Sequence, residues 1–230
     1  MENEEKKTVS SRVNAWLMKY RLILLTVVGL LIVAAIVFAV VYTVDLNSKK
    51  NGFNTLDDLQ YQYVNVINEN SEDERTDEQK EKIQEILVQV KNLAAKNAKN
   101  AVGSRSYMFE AEIEFMNNDF ASAKDSWLNA ASSNEKAYTA PLCWYNAAVC
   151  YENLGEIDKA IELLLKSVER KDFSMKARAL YSLGRIEDQR KNYVKAAEYY
   201  NQLFSEFDGT SWAQFAKDRL IAFEAEGLLQ

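Results

Sequence analysis

Residues 22–44, LILLTVVGLLIVAAIVFAVVYTV, form an unbroken apolar run with no charged residue, proline, Asn or Gln. As a helix rising about 1.5 Å per residue it reaches roughly 35 Å, enough to cross a hydrocarbon core of about 30 Å. A helix also satisfies every backbone amide internally, as lipid requires. Trp16 and Tyr20 before the run and Tyr42 at its end stand where amphipathic rings favour the headgroup zone. The pattern supports one span.

Positive charge sets its direction. Lys6, Lys7, Arg12, Lys19 and Arg21 precede the run, and only Lys49 and Lys50 follow closely, so the N-terminus is expected in the cytoplasm and the remainder outside it. The rival reading is a cleaved signal peptide, with Val37 and Ala39 as the small-residue pair. The apolar core of such a peptide is about 7 to 15 residues long, shorter than this run, so an uncleaved anchor is favoured. No Cys stands directly after the run, which argues against a lipid-modified N-terminus.

The tail before the run holds three acids and five bases. The chain's net charge of −6 therefore leaves the exported part at −8. That acidity argues against nucleic acid, whose binding rests on Lys and Arg neutralising phosphates. With one proline (Pro141) and seven glycines in 230 residues, the chain lacks the turn formers of an all-β domain and predicts an all-α one. Cys143 and Cys150, seven apart on one helix face, are about 10 Å apart by helical rise, too far for a disulfide. They read as buried small hydrophobes. A redox or metal pair is disfavoured, because the chain has no histidine and the spacing fits no thiolate site.

Beyond the span, DLNSKKNG reads as a short linker to a helix capped by Thr55 and ending near residue 69, with Leu56, Leu59, Tyr63, Val66 and Ile67 on its apolar face. NENSEDERTD reads as a charged loop. Asp77 is then placed to cap a second helix, whose face carries Ile83, Ile86, Leu87, Val90 and Leu93.

From about residue 104 the chain repeats itself. SRSYMFEAEIEFMNNDFASAKDSWLNAA, PLCWYNAAVCYENLGEIDKAIELLLKSV and ARALYSLGRIEDQRKNYVKAAEYYNQLF align on Ala123, Ala160 and Ala196, with periods of 37 and 36. The register superposes Ala111, Ala148 and Gly184; Phe120, Ile157 and Tyr193; and Trp127, Leu164 and Tyr200. Small residues let paired helices approach closely, large ones fill the space between hairpins, and stacking supplies the core that one hairpin lacks. The pattern resembles the tetratricopeptide (TPR) repeat. The second segment carries it best, through Trp144, Asn146, Ala147, Ala148, Tyr151, Gly155, Ile157, Ala160 and Leu164. The third adds Leu183 and Gly184. Departures are Glu114 in place of the usual Tyr, Ser167 and Leu203 in place of the late alanine, the missing closing proline, and the extra length around SSNEKAYTAP and ERKDFS. A final helix with Thr210 or Ser211 as cap and Trp212, Phe215, Ala216, Leu220 and Phe223 as apolar positions is expected to close the stack.

The expected organisation is a cytoplasmic tail (1–21), a transmembrane helix (22–44), a linker with two helices (45–103), TPR-like repeats at 104–140, 141–176 and 177–208, and a capping helix (209–230). The fold class is thus all-α: a single N-terminal transmembrane helix followed by an α-solenoid of antiparallel hairpins. Without histidine, a glycine-rich phosphate loop, a nucleophile elbow or a metal cluster, the chain does not read as an enzyme, and no cofactor is expected.

In TPR folds the first helix of each hairpin lines a concave protein-binding surface. The resemblance therefore implies candidate contacts at Arg105, Met108 and Glu112, at Leu142, Tyr145 and Val149, and at Arg178, Tyr181 and Arg185. Tyr and Arg are frequent hot-spot types. The competing reading makes Leu142, Val149, Tyr145 and Tyr181 simply inter-repeat core. Some cytosolic TPR members grip acidic C-terminal chaperone peptides with Lys, Asn, Asn, Lys and Arg. The matching places here hold Met108, Glu112, Asn146, Arg178 and Ser182, and Glu112 would repel such a ligand.

The layout is also similar to the bacterial ancillary Sec translocon subunit family, which implies partners among the translocon, periplasmic chaperones or envelope-assembly proteins. The function expected is that of an inner-membrane scaffold in protein export or envelope assembly, contacting lipid through its anchor. An envelope scaffold for cell-wall synthesis or division, a self-associating structural protein and a cytosol-facing organelle import receptor stay open as alternatives.

Overall fold

The computed structural model of the chain describes residues 2–69 and 75–229, and among these all regular structure is helical. The helices are α1 (Glu2–Glu69), α2 (Asp77–Lys96), α3 (Ala101–Met116), α4 (Phe120–Ser133), α5 (Ala140–Asn153), α6 (Ile157–Val168), α7 (Lys176–Gln189), α8 (Tyr193–Phe207) and α9 (Ser211–Ala225). The chain divides into two compact units, Met1–Asn51 and Gly52–Gln230.

The first unit holds the apolar run, a helix long and apolar enough to cross a membrane and with no side chain of that stretch buried by protein. The two threonine hydroxyls of the run are satisfied within the helix: Thr26 Oγ1 donates to the Ile23 carbonyl at 2.8 Å and Thr43 Oγ1 to the Val40 carbonyl at 2.9 Å. Trp16 and Tyr20 stack obliquely, centroids 5.3 Å apart.

Three sequence expectations need correction here. The stretch 45–52 is helical rather than a linker, and Thr55 lies inside α1 instead of capping a new helix. No proline interrupts it, Asp45 and Lys49 pair at 2.6 Å across one turn, and Gly52 serves close packing: a Cβ there would sit 2.8 Å from Val102 Cγ1. The cap of α2 is Thr76, one residue earlier than expected. Its hydroxyl accepts from Gln79 N at 3.2 Å and the Gln79 side chain accepts from Thr76 N at 2.9 Å, a reciprocal capping box.

The second unit is a succession of helix pairs whose turns repeat one geometry. Asn118, Gly155, Lys191 and Gly227 have φ of 58°, 75°, 62° and 67°, at positions spaced 37, 36 and 36 apart. At each, the amide of the left-handed residue and the next one fold back over the last helical turn, the latter from Asp119 N to Glu114 O, Glu156 N to Tyr151 O, Asn192 N to Glu187 O and Leu228 N to Phe223 O, all at 2.9 Å. These are Schellman closures, which require a left-handed residue. The fourth one shows that α9 stands in register with the first helices of the three repeats. Its Ala213, Ala216 and Phe223 are buried, and Leu228 and Leu229 fold onto the same core.

Small residues do what their register implies. Ala111, Ala148, Ala123, Ala160 and Ala196 are fully buried, and a Cβ on Gly184 would fall 2.4 Å from Tyr200 Cε1. The core runs along the stack as three apolar clusters, one joining Leu56, Leu59, Tyr63 and Val66 of α1 to α2 and α3, one across α3–α5, and one across α5–α9. Arg170 ties successive connections together, donating to the Glu135 carbonyl at 2.9 Å while paired with Asp172.

The departures from the TPR pattern have partners. Glu114 is buried and pairs with Lys91 of α2 at 2.8 Å. Glu187, the equivalent position in the third repeat, is paired with Lys195 at 2.8 Å and accepts from Asn192 at 2.7 Å.

Candidate functional site

Two adjoining pockets open on the face built by α3, α5 and α7, with volumes of about 470 and 400 Å³. The first is lined by Tyr63, Ile67, Glu112, Phe115, Met116, Trp127 and Asn146. The second is lined by Glu152, Leu164, Tyr181, Arg185 and Trp212. Tyr145, Val149 and Arg178 belong to both, so the pockets form one groove. Helical spacing explains this: residues 145, 149 and 152, or 178, 181 and 185, fall on one stripe of their helices.

Of the residues predicted from sequence, Glu112, Tyr145, Val149, Arg178, Tyr181 and Arg185 are brought together here. Leu142 packs instead on the core across α5–α9, and Met108 on the core across α3–α5. Arg105 lies over the Phe53 ring, 6.0 Å from its centroid. Tyr145 is only 3% exposed: Phe173 covers it from the connection after α6 (ring centroids 6.2 Å apart), and Arg178 lies 5.4 Å from its ring. It serves as groove floor, a core residue on one side and a wall on the other.

Tyr181 stands in an aromatic group with Tyr200, Trp212 and Phe215, at centroid distances of 5.8, 5.4 and 6.1 Å. Arg185 is engaged: its two terminal nitrogens donate to Glu152 at 2.6 and 2.7 Å, a bidentate pair that takes it out of play as a free cation. Arg178 is exposed and has no carboxylate within 4.0 Å among the described residues, its guanidinium resting between Tyr145 and Trp212. Glu112 is solvent-accessible yet set among walls that push its carboxyl up through desolvation.

Behind the groove lies a buried polar group. Ser126 Oγ is 3.0 Å from Glu110 Oε1 and 2.7 Å from Glu114 Oε2. One hydroxyl hydrogen serves only one acceptor, so the second contact needs a proton on Glu110. Burial, then the neighbouring Glu114 charge, raise Glu110 accordingly. The Trp127 indole N–H and Glu110 Oε2 are buried with no hydrogen-bond partner among the described residues.

Catalytic chemistry finds little material. Burial pushes Cys143 and Cys150 up to about 12, which keeps both as thiols, and no cluster of three metal-ligating side chains occurs among the described residues. What the groove offers is apolar and aromatic surface with a few fixed charges, the composition of a docking site.

Sequence reasoning missed Tyr63 and Ile67, Phe115 and Met116, Trp127, Glu152 and Trp212. Each was visible as an apolar or charged position in a helical stripe, but none carried a signal of which neighbouring hairpin it would face.

Residues 109–205 match a family described as "Domain of unknown function (DUF6340)". A TPR repeat-containing protein of Treponema pallidum (strain Nichols) is 32% identical over 117 residues, 51% of this chain and 49% of the relative. The chain thus spans about half the length of that curated relative. Among solved structures, TPR-like repeats of a putative kinesin light chain from Podosopora anserina superpose with a TM-score of 0.52 at 16% identity, covering 74% of this chain and 86% of theirs. A tetratricopeptide repeat protein from Parabacteroides merdae gives 0.50 at 20% identity, with 68% and 58% covered. These likenesses show a TPR-like α-solenoid, a fold suited to protein–protein interaction.

Proposed function

We propose that this chain is a membrane-anchored scaffold, whose apolar helix holds the repeat unit at the exported side of a bacterial inner membrane and whose groove docks another protein. The observation that carries the reading is the groove itself, in which three successive repeats join Glu112, Tyr145, Val149, Arg178 and Tyr181 along one wall. A chain that works by binding needs such a wall and no reactive group. The apolar run supports the anchor, and the excess of Lys and Arg before it supports a cytoplasmic N-terminus. Partners in protein export or envelope assembly, such as the translocon or periplasmic chaperones, follow from the similarity of layout to the ancillary translocon subunits.

The test is carbonate extraction of membranes followed by protease treatment of cells with a permeable outer layer. The protein should stay with the membrane pellet, and the repeat unit should be digested from outside while the tail before residue 22 is protected. Release by carbonate refutes the anchor. Digestion only after the inner membrane is broken refutes the orientation, and with it any partner on the exported side.

A further inference from the structure

The groove is not uniform in charge, and the difference describes its ligand. Glu112 lines the first pocket and meets no cation within 4.0 Å among the described residues, whereas its neighbours are matched, Glu114 with Lys91 and Glu152 with Arg185. Arg178, which lines both pockets, is unmatched as well, its guanidinium over two aromatic rings with no carboxylate within 4.0 Å among the described residues. The pocket that both line is otherwise walled by Tyr63, Ile67, Phe115, Trp127, Tyr145 and Val149, an apolar surface with volume enough for a large side chain. Unpaired charges of opposite sign on the wall of one apolar cleft favour a ligand that brings the opposite sign to each, because like charges there would be repelled and a neutral ligand would leave both desolvated and unmatched.

Resting on the docking role proposed above, we infer that the groove takes an extended peptide segment of a partner protein that seats one large apolar side chain between Glu112 and Arg178, with a basic residue beside Glu112 and an acidic residue beside Arg178. A purely acidic segment meets Glu112, a purely basic one meets Arg178, and a lipid tail matches neither. Burial keeps the Glu112 carboxyl raised when the groove is empty. A basic residue beside it favours the ionised form, so binding releases protons and tightens as pH rises above the ordinary carboxylate value of 4.5.

The experiment selects random 12-residue peptides displayed on phage against the full chain in lipid nanodiscs, then measures synthetic versions by fluorescence anisotropy. Enriched peptides should carry an aromatic or large aliphatic residue with a basic residue on one side and an acidic one on the other. Neutralising either peptide charge should weaken binding about tenfold. Glu112→Lys should shift the selection to acidic residues on both sides, and Arg178→Glu to basic residues on both. Glu112→Gln should lose the pH dependence while keeping the apolar preference. Circular dichroism checks that each variant is folded. Enrichment that depends on Val149, shown by its loss in Val149→Asp, but is blind to charge or calls for one sign only overturns this inference and leaves the docking groove standing. Selection that never exceeds the Val149→Asp background overturns both.

Discussion

Replacing Gly184 by alanine sets two opposed effects of known size against each other. In the middle of α7 the change removes a glycine from a helix, a gain of about 1 kcal/mol by propensity alone. The same methyl group would be placed 2.4, 2.6 and 2.9 Å from Tyr200 Cε1, Cδ1 and Cζ. Relaxed carbon contacts are about 3.5 to 4.0 Å, so ring or helix must shift by an ångström or more. The Tyr200 ring has nowhere to go: it is 1% exposed and held by Tyr181 and Phe223 at centroid distances of 5.8 and 6.1 Å. Overpacking of this kind costs about 1 to 3 kcal/mol, and a rigid buried ring puts it at the upper end. The net expectation is a loss of about 1 to 2 kcal/mol, read as a drop in melting temperature of roughly 2 to 8 °C by circular dichroism on the full chain in detergent. Combining the change with Tyr200→Leu, which removes the clashing atoms, should cost less than the sum of the two single changes. A Gly184→Ala variant as stable as the parent, or more so, would mean that propensity wins and that the small-residue register does not govern how closely α7 and α8 approach.

Other consequences are as specific. Lys191→Gly should stabilise by about 1 kcal/mol in the same melts, because Lys191 holds the left-handed turn that Gly155 and Gly227 fill without steric cost; a loss would show that its side chain matters more than its φ. For Glu110, whose folded form is raised by burial and by Glu114, the native state holds its proton longer than the unfolded chain. Its contribution is therefore present at acidic pH and lost as pH rises above the ordinary value of 4.5. Glu110→Gln should flatten that decline in urea melts run from pH 4 upward, and an unchanged profile would refute the assignment of a proton to Glu110. Removing Lys91 by Lys91→Met should cost about 3 kcal/mol or more, since it strands the buried Glu114 carboxylate, and Lys91→Met combined with Glu114→Gln should recover much of the loss.

The parts of this fold legible in the sequence were those set by short-range period. The apolar run, the small residues at 111, 148 and 184 and the turns at 118, 155 and 191 all follow from spacing along one chain segment. What stayed hidden depended on neighbours distant in sequence. The polar stretch 45–52 reads as a linker by composition, yet Gly52 is there to let Val102 approach. Glu114 reads as a departure from the repeat pattern until Lys91 of the preceding helix is placed beside it. Helical register put Arg185 and Tyr145 on the groove stripe. It could not show that Glu152 already holds the first, or that Phe173 and Arg178 cover the second. Leu142, Met108 and Arg105 share that register, but the neighbouring packing turns them to other surfaces.

Docking in the groove is tested most directly by a photo-crosslinking amino acid placed at residue 149 of the full chain in intact cells, with residue 162 on the exposed face of α6 as the control. A scaffold working through this groove yields a discrete protein adduct from position 149, absent from position 162 and lost when Glu112→Lys and Arg178→Glu are introduced together. No adduct from position 149, or the same adduct from both positions, would contradict the assignment of the groove as the docking surface.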